Sequence, residues 1–152
     1  IPTKRFIKMM SERDHLRKIF FATWEKYNKK EPLSPLESQL ISVILVHSEY
    51  HSVLDNLSKQ LHQNYTTDTN PFLHMSLHLG LLEQLNTDRP SGIKSYYQQL
   101  LSKVGDSHKV EHLIMDMMAT FIWKAQRNNM LPDEQAYIKA LKRLTKNIVS
   151  SE

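Results

Sequence analysis

Apolar residues recur every three or four positions along most of this chain, which is the spacing of a helix that buries one face. In the first such segment, which follows Ser11, the apolar positions are Leu16, Ile19, Phe20, Trp24 and Tyr27. Taken with the start and stop signals described next, this spacing predicts six helices and an all-α fold.

Capping residues and prolines indicate where the second helix begins. Ser34 is expected to cap it, with Pro35 at the first helical position and Glu37 completing a capping box. The apolar pattern then continues to about His47, and the helix is expected to continue or restart through Leu57. The sequence therefore predicts the start of this helix more closely than its end.

The later part of the chain carries signals of the same kind. Residues 58–69 are polar and predict a loop, after which Asn70-Pro71 starts another helix. Gly105 ends a short helix, and Asp106 or Ser107 caps a long one. The helices of this part are expected over about 71–86, 93–103, 107–129 and 133–148.

The composition supports a single helical domain. The chain has 152 residues, only 3 glycines and 6 prolines, and an apolar content of 40%. Short connections favour antiparallel neighbours, so we expect a compact bundle of about six helices, mostly antiparallel, that spans residues 1–152. Residues 1–10 are expected to be disordered or foreign to the native chain.

The charges are unevenly distributed along the sequence. Residues 1–30 carry nine Lys or Arg against three Asp or Glu, residues 31–123 carry five against ten, and residues 124–152 carry six against three. An acidic middle attracts cations rather than nucleic acid, and no apolar run is long enough to cross a membrane. The chain has no cysteine and shows no signal peptide, so a cytoplasmic location is the default expectation.

Three His-x-x-x-His pairs are the unusual feature of the sequence. Random placement of eight histidines would give about 0.4 such pairs. Residues four apart lie on the same face of a helix, where two imidazoles can bind one ion. The pairs are His47/His51, His74/His78 and His108/His112.

The pairs fall on the apolar sides of their helices. His74 and His78 lie within the leucine stripe of their helix, and His108 and His112 share a strip with Trp123 and, at its edge, Asp116. Burying several imidazoles is costly unless their nitrogens are paired, and a shared ion would pair them. We therefore predict one or two transition-metal ions, iron or zinc above all, with these ligands in order of preference: His74, His78, His112, Asp116, His108, His47 and His51.

Other readings stay open at this point. The histidines could be structural, in a helical interaction or pH-sensing module that binds no metal, or a buried His–Asp pair could handle protons in a metal-free enzyme. The sequence contains no phosphate-binding loop, nucleophile elbow or His-Glu-x-x-His motif, so it indicates none of the enzyme classes that use them. Whether the chain is catalytic stays open. Met115, Met117, Met118 and Met130 are interpreted as core side chains. No protein partner is indicated, and a homodimer stays open.

Five blocks of the sequence are distinctive: Pro32-Leu33-Ser34-Pro35-Leu36-Glu37, His47-Ser48-Glu49-Tyr50-His51, Asn70-Pro71-Phe72-Leu73-His74-Met75-Ser76-Leu77-His78, Asp88-Arg89-Pro90-Ser91-Gly92-Ile93 and His108-x-x-x-His112-x-x-x-Asp116. They resemble a family of small bacterial proteins known only as a domain of unknown function. The resemblance covers most of residues 11–142, and it implies a break in the helix just after His47, where family members have proline at the position of Ser48. A looser similarity is to hemerythrin-like bundles, which implies a shared architecture only.

Overall fold

The computed structural model describes residues 13–60, 63, 65 and 70–148, and within that part of the chain it is helical and without strands. This confirms the all-α prediction. The predictions for Ser11 and for residues 1–10 lie outside the described residues. The longer helices are α1 (Arg13–Asn28), α2 (Pro35–Leu45), α3 (Pro71–Thr87), α4 (Ile93–Val104), α5 (Ser107–Arg127) and α6 (Glu134–Asn147).

The start of α2 is built as the sequence predicts. The Ser34 hydroxyl accepts a hydrogen bond from the Glu37 amide at 3.2 Å, and the Glu37 carboxylate accepts one from the Ser34 amide at 2.9 Å. Lys26 on α1 lies 2.9 Å from the same carboxylate. The two groups together hold the pKa of Glu37 below its usual value, with the Ser34 amide as the larger cause.

Helix α2 ends at Leu45, two residues before the predicted end at about His47. Of the two predictions for the chain after it, the restart is the one observed: a 3₁₀ turn (Ser48–Tyr50) and two one-turn helices, His51–Leu54 and Leu57–Gln60, follow. The last of these replaces the start of the expected polar loop. At the break the His47 amide bonds to the Ile44 carbonyl at 3.0 Å instead of to the Val43 carbonyl, which is taken by the His47 side chain. A side chain therefore competes with the backbone for the last carbonyls of the helix.

Contacts between Cα atoms divide the chain into two compact units, and the expectation of a single domain stays a prediction. The first ends at Leu79 and the second starts at Gly80. In the first unit α1 packs against α2 and against the turn His51–Leu54. Its core contains Leu16, Phe20, Phe21, Leu40, Val43, Ile44, Leu54 and Phe72.

Arg17 is the one buried charge of the first unit's described core. Its guanidinium donates to the backbone carbonyls of Gln60 and Gln63 at 3.1 and 2.8 Å and lies 4.9 Å from the centre of the Phe72 ring. Carbonyl oxygens and an aromatic face both stabilise a cation that has left water. Arg17 thus connects α1 to the backbone at Gln60 and Gln63.

In the second unit α4, α5 and α6 pack against one another in pairs. Gly105 ends α4 with a φ of +81°, a left-handed conformation that glycine adopts without strain. Asp106 then caps α5, and Asp133 caps α6 by accepting a hydrogen bond from the Ala136 amide at 3.0 Å. The core contains Ile93, Leu100, Val110, Ile114, Met115, Met118, Ile122, Tyr137 and Leu141.

Two side chains that the sequence assigns to the core are on the surface. Trp123 is 59% exposed and Met130 is 71% exposed. Trp123 lies near the end of α5, and Met130 lies in the turn after that helix. Within the described ranges, no helix combines the length and the apolarity that a membrane crossing requires.

Candidate metal centre

His47 lies in the break that follows α2 and is fully buried. Its Nδ1 is 2.8 Å from the Val43 carbonyl oxygen. A carbonyl only accepts, so Nδ1 carries the hydrogen, and the neutral ring then has its lone pair on Nε2. Metal-binding histidines in proteins have this arrangement, because a hydrogen bond from one ring nitrogen orients the other toward the ion.

Helix α3 places two more imidazoles beside His47. Asn70 caps this helix by accepting hydrogen bonds from the amides of residues 72 and 73. The His74 and His78 rings lie 4.8 and 5.1 Å from the His47 ring, centre to centre. His78 is buried and His74 half-buried. The i, i+4 spacing in α3 thus brings both rings to the same neighbour.

The closest approach in this cluster joins the Nε2 atoms of His74 and His47, which are 3.1 Å apart. Without an ion, the Nε2 of His74 must donate a hydrogen to the lone pair of His47. Two nitrogens held by one ion at 2.0–2.1 Å with tetrahedral angles lie about 3.3–3.4 Å apart. The observed separation is therefore close to the one that a shared metal ion requires.

Tyr50 is a further neighbour of His47. Its ring stacks on the His47 ring at 5.6 Å with an angle of 9° between the planes, and meets the His74 ring edge-on at 5.9 Å. Burial, and to a lesser extent the Glu49 carboxylate, raises the pKa of Tyr50, so the phenol stays protonated at neutral pH. Tyr50 is not among the residues predicted from the sequence to belong to the site, although it lies three residues after His47.

His51 is placed differently from its partner in the pair. Its Nε2 lies 2.9 Å from the Ile44 carbonyl, and its ring lies 4.5 Å from the Trp24 ring. Because α2 ends at Leu45, His47 and His51 do not share a helix face. The family resemblance implies a break just after His47, and the helix ends two residues before it, at Leu45. Each of the two histidines binds a carbonyl at the end of α2.

Helix α5 carries the third pair near its start. The His108 and His112 rings lie 4.0 Å apart, centre to centre, as expected for residues one turn apart. His108 is exposed and His112 half-buried, and Asp116, one turn further on, is exposed. A carboxylate at Asp116 is thus on the same side of the helix but in contact with solvent.

Neutral imidazole nitrogens suit transition metals such as zinc, iron, copper and nickel. His47 and His74, both in the first unit, present ring nitrogens 3.1 Å apart that could share a metal ion. The donor set therefore fits the predicted kind of ion. The chain has no cysteine to add a thiolate.

Comparison with known proteins gives a family and no activity. Residues 12–143 match the model of a family described as "Domain of unknown function (DUF1841)". No curated protein and no solved structure matches the chain. The similarity to hemerythrin-like bundles accordingly remains an analogy.

Proposed function

Because this chain belongs to the family described as "Domain of unknown function (DUF1841)", which names no activity, we propose a function from its own residues: it binds a transition-metal ion through imidazole nitrogens. His47, His74 and His78 of the first unit are the proposed ligands of this ion, because their rings lie next to one another. His108 and His112 of the second unit are a separate candidate pair.

The observation that carries the proposal is the environment of His47. Its Nδ1 is committed to the Val43 carbonyl, and its Nε2 lone pair is buried among other imidazoles. A buried lone pair can no longer accept a hydrogen bond from water, so it needs a hydrogen-bond donor or a cation within the protein. A metal ion satisfies several imidazoles at once, and it requires them in the neutral form that a buried ring prefers.

The proposed metal is iron or zinc, bound as one ion or two. Zinc and ferrous iron both accept imidazole nitrogen, and hard ions such as magnesium and calcium prefer oxygen ligands. Three imidazoles leave a coordination position for water. His51 is the weakest candidate, since its Nε2 already donates to the Ile44 carbonyl.

Calorimetric titration with Zn²⁺ tests the proposal on chain purified without a polyhistidine tag. We expect about one ion per chain, and metal analysis of the protein as purified should show a comparable content. His47→Asn is the informative variant, because the asparagine amide can still donate to the Val43 carbonyl but supplies no nitrogen at the position of Nε2. It should weaken binding by about 100-fold or more.

His15→Asn is the matched control, since His15 on α1 is exposed and lies outside the proposed ligand set. It should bind Zn²⁺ like the natural chain. Less than about 0.3 ions per chain, both as purified and after titration, contradicts the proposal. Equal affinity of the two variants contradicts the assignment of His47.

A second candidate function has one specific observation in its favour. His51 donates to a backbone carbonyl, and its ring packs against Trp24, which is how structural histidines are satisfied. On this account the chain is a helical interaction module without metal. Its melting temperature would then be the same with and without chelator, whereas a bound ion raises it by linkage.

A further inference from the structure

The basic residues of α6, in the second unit, lie on one exposed side of that helix. They are Lys139, Lys142, Arg143 and Lys146, and each of them is exposed. Their spacing of i, i+3, i+4 and i+7 places the four within an arc of about 100° around the helix axis. The buried residues lie on the opposite side; they are Tyr137, Leu141 and Thr145. This exposed side, called the basic face below, thus carries four cations along about 10 Å of the helix.

In the described part of the chain, no carboxylate neutralises the basic face. None of its four cations forms an ion pair there, in contrast to Lys26 and Lys29 of α1. Residues 135–147 contain no Asp or Glu, and neither does α4, which packs against α6. Lys103 of α4 donates to the Thr145 carbonyl at 2.5 Å, which adds a fifth cation next to the basic face. The surface therefore keeps its positive charge.

The polar character of the basic face indicates which kind of anion it suits. The exposed large apolar side chains of the described residues lie outside α6. Protein interfaces usually have an apolar core, and a helix that lies on a membrane needs an apolar face against the lipid. The apolar side of α6 is already buried. Interfaces with nucleic acid are more polar and more positively charged than those with protein, so a phosphate backbone fits this face better than either.

The basic face also suits a duplex better than a single strand. Proteins bind single strands by stacking the bases on aromatic rings. The aromatic residue of α6 is Tyr137, which is buried and donates to Gln84. Lysine and arginine hold phosphates without stacking any base, and such contacts carry no sequence information.

We propose that the basic face of α6 binds the phosphate backbone of a double-stranded nucleic acid without reading its sequence. Each of the four cations neutralises about one phosphate and releases the counterion of that phosphate. The sequence expectation of cation binding rather than nucleic-acid binding concerned the acidic residues 31–123, and α6 lies outside that stretch. The proposal involves none of the proposed metal ligands, so it can fail or succeed independently of the metal.

Fluorescence anisotropy of a short labelled DNA duplex, titrated with the full chain in the presence of a chelator, tests this inference. Four phosphate contacts predict that the logarithm of the binding constant falls with the logarithm of the salt concentration with a slope of about −3.6. Lys142→Gln/Arg143→Gln should flatten this slope to about −1.8 and weaken binding at low salt by at least about tenfold. Duplexes of unrelated sequence should bind the natural chain equally well.

Lys18→Gln/Lys30→Gln is the matched control, because both lysines are exposed, belong to the first unit and account for the same change in charge. It should bind the duplex like the natural chain. The charge-conserving variant Lys142→Arg/Arg143→Lys should keep both the affinity and the slope, and all three variants should show unchanged circular dichroism.

The inference is overturned if the natural chain does not bind the duplex at low salt or if its slope is flatter than about −2. It is also overturned if Lys142→Gln/Arg143→Gln binds like the control or if the charge-conserving variant loses affinity. Tighter binding to a single strand of the same length would contradict the assignment to a duplex. Binding to vesicles that contain phosphatidylserine, without binding to the duplex, would assign the basic face to a membrane surface instead.

Discussion

Tyr137→Phe removes a buried hydrogen bond of the second unit without changing the shape of its core. The Tyr137 hydroxyl donates to the Gln84 side-chain oxygen at 2.9 Å, and both residues are buried. Among the described residues, the side-chain nitrogen of Gln84 has no hydrogen-bond partner. The hydroxyl of Tyr137 is thus the donor that satisfies the oxygen of this buried amide.

The expected loss of stability comes from the Gln84 side-chain oxygen, which stays buried without the Tyr137 donor. A buried acceptor that loses its donor costs about 1–3 kcal/mol, because its own desolvation is no longer compensated. Urea unfolding, with a slope of about 1–3 kcal/mol per molar, should then move its midpoint down by roughly 1 M. Phenylalanine keeps the ring contact with Phe121 at 5.9 Å, so packing changes little.

A double variant separates the hydrogen bond from packing. In Tyr137→Phe/Gln84→Met both polar groups are absent, and replacing both partners by apolar groups is close to neutral. The double variant should therefore be more stable than Tyr137→Phe alone. A single variant within about 0.3 kcal/mol of the natural chain, or a double variant less stable than the single one, would refute the reasoning.

The same residue predicts a dependence on alkaline pH. Burial raises the pKa of Tyr137 well above its ordinary value, and the hydrogen bond to Gln84 offsets this only in part. The unfolded chain loses the proton near pH 10 while the folded chain keeps it. Stability is thus complete below about pH 10 and falls above it. The fall should be shallower in Tyr137→Phe, and equal pH profiles of the two proteins would contradict the account.

Three further variants and conditions test other parts of the structure. Ser34→Ala removes the cap of α2 and should lower the free energy of unfolding by about 1 kcal/mol, whereas Ser38→Ala at an exposed helix position should not. Arg17→Met leaves the carbonyls of Gln60 and Gln63 without this donor and should cost about 2 kcal/mol in urea unfolding; a neutral effect would show that the guanidinium does not hold this segment. Zn²⁺ at about 100 times its dissociation constant should stabilise the fold by about 2.7 kcal/mol, and an unchanged melting curve would speak against a folded-state site.

Helix starts could be predicted from the sequence because their causes are local. Ser34 with Glu37, Asn70 and Asp133 each bond to amides two or three residues away, so a short stretch of sequence contains the whole interaction. The end of α2 could not be predicted in the same way. There the imidazoles of His47 and His51 donate hydrogen bonds to carbonyls of α2. The spacing of apolar residues predicts a helix in which backbone amides bind these carbonyls, so it does not indicate where side chains bind them instead.

The candidate site shows the same division. The i, i+4 spacing correctly indicated that His74 and His78 face one neighbour, because helix geometry decides it. The spacing of the histidines did not indicate that Tyr50 lies beside His47, because this position depends on a 3₁₀ turn. The surface position of Met130 also lay beyond pattern analysis, since the turn that exposes it is set by backbone hydrogen bonds.

Nitrogen-15 NMR of the histidine side chains during a Zn²⁺ titration examines the ligand atoms themselves. Without metal, the His47 ring should show hydrogen on Nδ1 and a lone pair on Nε2. Addition of one equivalent of Zn²⁺ should shift the Nε2 resonance of His47 while its Nδ1 keeps the hydrogen. Ring resonances of His47, His74 and His78 that do not move at saturating Zn²⁺ would contradict metal binding at these residues.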